Sequence, residues 1–147
     1  MRKILFIIVI LVSGVVAKAQ YHPGIGIALG APSGFSYKVF INEPTALEFT
    51  LGWTPRILVI SGLYELHQPL AEQLTWYYGA GAHVGLSNNY PGYNDGTVFL
   101  GADGVIGVEF KPDIPVAFSI DFRPQLDIMG RFGLTPLAQI GIRYVLN

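Results

Sequence analysis

Bulky apolar side chains recur at every second position through most of this chain, with glycine, alanine or an isolated charge between them. The stretch 74–86 shows it best, where Leu74, Trp76, Tyr78, Ala80, Ala82, Val84 and Leu86 alternate with Thr75, Tyr77, Gly79, Gly81, His83 and Gly85. A period of two predicts β-strand, because successive side chains leave a strand on opposite faces. The same alternation predicts eight strands, at 24–31, 35–41, 46–53, 57–67, 74–86, 98–110, 116–123 and 136–146. Turn-forming residues separate them at 32–34, 42–45, 54–56, 68–73 and 111–115. Two longer connections are expected, the polar stretch 87–97 and the segment 124–135.

Each predicted strand has one apolar face. Ile25, Ile27 and Leu29 form it on the first, Phe35, Tyr37, Val39 and Ile41 on the second, and Leu47, Phe49, Leu51 and Trp53 on the third. Fourth-strand residues Leu58, Ile60, Tyr64 and Leu66 share a face opposite Ser61, Glu65 and His67. An even number of such strands predicts an all-β fold, an eight-stranded antiparallel up-and-down transmembrane β-barrel over 20–147.

The first residues read as a cleavable signal peptide, 1–19, preceding that barrel. Arg2 and Lys3 supply a positive start, 4–16 a short apolar run, and Ala17-Lys18-Ala19 an A-x-A cleavage site. The apolar run is too short for a membrane anchor, which needs about 20 residues, and Ser13 and Gly14 interrupt it. The absence of cysteine excludes disulfides, a thiol nucleophile and lipoprotein anchoring. A net charge of -1 gives no electrostatic ground for nucleic-acid binding.

Charged residues make up only 13% of the chain, against about 25% in ordinary soluble domains. Hydrophobic residues reach 51%, yet none of the later segments is a continuous run of spanning-helix length. Alternation by itself fits a soluble barrel with an apolar interior equally well. The second face decides: glycine and alanine dominate it and single charges are widely spaced, a poor surface for water but a suitable lining for a narrow eight-stranded lumen. The apolar face also carries Trp53, Tyr64, Trp76, Tyr78, Phe110, Phe122 and Tyr144, the residue types of an interfacial aromatic girdle.

With the apolar face toward lipid, Lys38, Glu48, Glu65, His83, Asp103, Glu109, Asp121, Arg123 and Arg143 point inward. Unpaired charges in a low-dielectric interior cost several kcal/mol, so a lumenal ion-pair network is expected to plug the barrel. Counting back across the 111–115 turn places Arg123 near Asp103, where the two are expected to pair, with Asp121 two residues away on the same face.

Three glycine patterns, beginning at Gly24, Gly79 and Gly101, resemble dinucleotide-binding loops, but none opens a helix as that chemistry requires. His22, His67 and His83 lie on separate segments without metal-ligand spacing, so no metal or other cofactor is expected. Ser36, Ser61 and Ser119 sit in no nucleophile elbow, and no catalytic residues are assigned.

The last strand is more specific: Gln139, Gly141, Tyr144 and Leu146 follow a polar-x-Gly-x-x-aromatic-x-hydrophobic pattern. This resembles the terminal signal by which the barrel-assembly machinery of Gram-negative bacteria recognises its clients, although the chain ends in Asn147 rather than an aromatic. Taken over 20–147, the chain resembles the small eight-stranded outer-membrane β-barrel proteins of those bacteria. The resemblance implies the fold, an outer-membrane location, and outer-membrane lipid and the assembly machinery as partners. It implies little about activity, because such barrels serve many tasks. A non-enzymatic structural or interaction role through the outer loops is therefore expected. The competing expectations are a narrow pore or ligand carrier, a lipid-modifying hydrolase centred on His83, and a soluble binding barrel.

Overall fold

The computed structural model describes residues 22–88, 97–130 and 132–146. The expected signal peptide and most of the 87–97 connection lie outside these residues. Eight strands follow one another: β1 (Gly24–Gly30), β2 (Ser33–Asn42), β3 (Thr45–Thr54), β4 (Ile57–Ala71), β5 (Leu74–Ser87), β6 (Thr97–Phe110), β7 (Val116–Met129) and β8 (Gly133–Val145). Each pairs antiparallel with its sequence neighbours, and β1 pairs with β8 from Gly24↔Val145 to Gly30↔Gln139, closing the barrel. Closure leaves no open sheet edge along the paired seam, so backbone donors and acceptors are satisfied from both sides. The chain forms an all-β, eight-stranded antiparallel closed barrel.

Two rims result. The near rim carries the start of β1, the end of β8 and the β2–β3, β4–β5 and β6–β7 turns; the far rim carries the other connections. Prolines account for most departures from the expected strand limits. Pro69 does not stop β4, which continues four residues beyond 67 to Ala71 and pairs Pro69 with Thr75. The expected connection 124–135 is corrected more heavily, because β7 runs to Met129 and β8 begins at Gly133. Pro124 faces Pro136 across that hairpin, so neither ring deprives an ordinary residue there of its partner. On its other side Pro124 lies against Gly104, where the β6–β7 pairing skips between Asp103↔Gln125 and Ile106↔Phe122. A proline has no N–H to donate to that ladder. The hairpin turns at Gly130, whose φ of 85° is the left-handed conformation that glycine adopts without a Cβ clash.

The alternating faces separate by burial. Ile25, Ile60, Ile106, Ile120 and Ile140 stand outward and about half exposed, and the same face runs around the whole barrel. Charge is partitioned just as sharply. Among the described residues, Lys38, Glu48, Glu65, Asp103, Glu109, Asp121, Arg123, Asp127 and Arg143 are buried inside the barrel. The remainder, Glu43, Arg56, Glu72, Lys111 and Asp113, lie on connections between strands. No described charged residue occupies the outer face of a strand.

Candidate functional site

The lumen is where polar chemistry concentrates, and period-two geometry puts it there: residues of one parity on every strand converge on the axis. Glu48 of β3 occupies the middle of the larger cluster. Its Oε1 accepts from the Ser36 hydroxyl at 2.6 Å and from Arg143 at 2.9 Å, and its Oε2 accepts from Arg123 at 2.9 Å. Arg143 also donates to Glu109 Oε2 at 2.6 Å and to the Ser119 hydroxyl at 3.0 Å. Arg123 holds Asp121 through Nε at 2.7 Å and reaches Thr50 at 3.4 Å. The other oxygen of Asp121 accepts from the Tyr77 hydroxyl at 2.6 Å and from Arg123 at 3.1 Å.

Lys38 completes this cluster. Its Nζ lies 2.8 Å from Glu65 and 3.6 Å from Glu109, and 4.2 Å from the centroid of the Tyr77 ring. His67 meets Glu65 at 3.0 Å and stacks on Tyr77 with ring centroids 4.8 Å apart. Three cations thus face four carboxylates drawn from six strands, an arrangement in which each buried charge has an opposite partner.

The pairing of Arg123 with Asp103 expected from strand register does not form. Gln125, not Arg123, stands opposite Asp103, and Arg123 instead extends across the lumen to β3. Asp103 belongs to a second, smaller cluster. His83 Nδ1 meets Asp103, and Nε2 meets Asp127 at 2.8 Å, while the Phe99 ring lies 5.8 Å away. Both imidazole nitrogens are therefore committed to carboxylates, which leaves neither to take a proton from Ser61, its cross-strand neighbour. Between the two clusters, Leu63, Tyr77 and Val105 pack together in a buried apolar layer, with Val105 between Asp103 and Glu109 along β6.

A recess remains at each mouth. The near-rim cavity, about 380 Å³, is lined by Phe40, Pro44, His67, Thr75 and Lys111 among others, and the far-rim cavity, about 250 Å³, by Val59, Phe99, Gln125, Asp127 and Leu137. The ion-pair clusters and the apolar layer lie between them. Glycine makes room for this filling: a Cβ on Gly107 would approach the Asp121 side chain to 2.5 Å and the Tyr77 ring to 2.8 Å.

The C-terminal pattern residues divide by face. Gln139 and Gly141 point inward, Gln139 donating to the Pro32 carbonyl at 3.3 Å, and a Cβ on Gly141 would sit 2.3 Å from the Ser119 hydroxyl. Tyr144 is outward and half exposed, and the Leu146 N–H bonds the Pro23 carbonyl at 2.8 Å. The outward aromatics form pairs rather than one ring. Trp76 stacks on Tyr78 at 5.2 Å, with Phe110 and Tyr144 also toward the near rim, and Trp53 packs on Phe35 at 5.3 Å at the far rim. Tyr64 and Phe122 stand halfway along β4 and β7, away from either rim.

Several lumenal residues had not been singled out from sequence. Tyr77 is the clearest: it is fully buried and touches both Asp121 and Lys38, and its parity had already set this aromatic apart among glycines. Asp127 falls in the 124–135 segment that composition marks as a connection, and the hydroxyls of Ser36, Thr50 and Ser119 serve as network members, a role that no sequence motif marks.

Comparison with models of protein families finds no match, and comparison with curated proteins finds none. Among solved structures, the chain is similar to the solution NMR structure of the de novo designed TMB2.3, with a TM-score of 0.59 and 15% sequence identity. That likeness covers 86% of this chain and 95% of the designed one, and it shows the shared barrel fold.

Proposed function

We propose that this chain is an integral outer-membrane β-barrel, exported by its N-terminal segment, with a plugged lumen and a non-enzymatic structural or interaction role exercised through its far rim. The observation that carries this reading is the partition of charge: the described strand faces that point outward bear none, and the apolar ones are left half exposed. In water that arrangement would leave a continuous apolar surface far larger than a soluble monomer keeps. In a bilayer it is the required outer surface, and a closed barrel is one of only two folds that satisfy every backbone hydrogen bond there. The likeness to TMB2.3, a designed transmembrane β-barrel, favours the same setting. A non-enzymatic role is supported by the engagement of both His83 nitrogens, and a plugged lumen by the layered ion pairs and apolar packing between the two mouths.

Planar-bilayer recording on the purified protein tests the plugged lumen. The expected trace shows no steady conductance. A sustained ionic current would replace this reading with that of a narrow pore.

A further inference from the structure

The far rim bears one exposed charge among its described residues, Arg56, on the turn between β3 and β4. The near rim differs, with Glu43, Glu72 and Asp113 against Lys111. Arg56 is held in place by its backbone. The Thr54 hydroxyl accepts the N–H groups of Arg56 at 3.3 Å and Ile57 at 3.0 Å, and the Arg56 carbonyl accepts from Asn88 N–H at 2.8 Å. The turn is thereby tied to the end of β5 across the sheet.

Directly below it on the outward face, Trp53, Leu58 and Leu86 stand abreast through the pairings Trp53↔Leu58 and Leu58↔Leu86. All three are close to half exposed, and with Arg56 and Asn88 they line an open groove of about 550 Å³. A cation carried on a braced turn at the head of an apolar trough is complementary to a molecule that is anionic at one end and aliphatic behind it.

We propose that this groove binds a phosphorylated lipid, its acyl chain along Trp53, Leu58 and Leu86 and its headgroup phosphate on Arg56 and the Asn88 side chain. The proposal rests on the membrane reading above and adds to it a preferred lipid at a named place. Guanidinium suits this role because its planar fork presents paired donors to phosphate oxygens.

The test uses the full chain purified from membranes in nonionic detergent, with native mass spectrometry to read retention of added dioleoyl phosphatidic acid against dioleoylglycerol. Wild type is expected to retain phosphatidic acid at least about tenfold better, as loss of a charge-assisted contact implies. Arg56→Gln abolishes that preference, Arg56→Lys keeps part of it, and Leu86→Ser weakens retention of both lipids alike. Millimolar inorganic phosphate leaves the bound phosphatidic acid in place. Equal preference in wild type and Arg56→Gln overturns the proposal, as does displacement by inorganic phosphate, which would make the site one for a free anion. Arg56 is exposed on a turn, and the heat-dependent gel shift verifies that each variant retains its barrel. A wild-type chain that never associates with detergent or membrane contradicts the membrane reading itself. A chain that does so without an Arg56-dependent preference contradicts this site alone.

Discussion

Glu48 shows how one residue organises the interior. Its two carboxylate oxygens collect a hydroxyl from β2 and guanidinium groups from β7 and β8, so three strands that are not all neighbours are fixed to β3 by a single side chain. Its importance follows from the cost of stranding a charge: breaking a buried pair by removing one partner costs about 3–5 kcal/mol, because the other charge remains buried. Arg123 is the most direct place to test this, since it serves both Glu48 and Asp121. Arg123→Gln is expected to lower unfolding stability by about 3–5 kcal/mol in urea titrations followed by tryptophan fluorescence in detergent or vesicles. Replacing Glu48 as well by an apolar residue of similar volume recovers only part of the loss, because Asp121 still stands buried without its cation. An unchanged unfolding midpoint in Arg123→Gln would show that the lumenal charges are solvated singly rather than coupled.

The strands themselves were legible wherever alternation was uninterrupted. Residues 74–86 and 98–110 emerge within a residue of β5 and β6, because each has one bulky and one small or polar face. Legibility failed at Pro69, Pro124 and Pro136. Sequence treats proline as a strand breaker, whereas here Pro124 and Pro136 oppose one another, and Pro136 lies beyond the last β1–β8 pair at Gly30↔Gln139. The inward identity of Lys38, Glu48 and Arg143 was readable from parity alone. Their partners were not, because long side chains cross the lumen and bind strands that are not adjacent in sequence. The outward face makes a prediction of its own at this scale. Ile120 lies mid-strand on β7 between Val108 and Ile140, and it is 55% exposed. Ile120→Arg is expected to destabilise the barrel in vesicles by about 2–4 kcal/mol, and Val98→Arg near the far rim by about 0–1 kcal/mol. On a water-facing surface both changes would fall within about 0.5 kcal/mol, and that flat result would count against a lipid-facing stripe.

At the scale of the whole molecule, the barrel reverses the ordinary distribution of a soluble domain. Its charges and hydroxyls fill the middle, its apolar side chains face out, and its described exposed charges are confined to the connections at the rims. The fold closes β1 onto β8 through seven residue pairs, the shortest of its strands meeting one of the longer ones. That seam explains why the C-terminal strand carries so many constraints at once: Gln139, Gly141 and Arg143 each face the lumen, while Ile140, Ile142 and Tyr144 continue the outer surface. Orientation of the apolar face is the claim on which the rest stands, and dilution from urea tests it most directly. Diluted into lipid vesicles, the chain should float with the lipid and migrate as a fast, folded band until it is boiled. Folding instead into a monodisperse species in plain buffer, with neither lipid nor detergent present, would contradict the account.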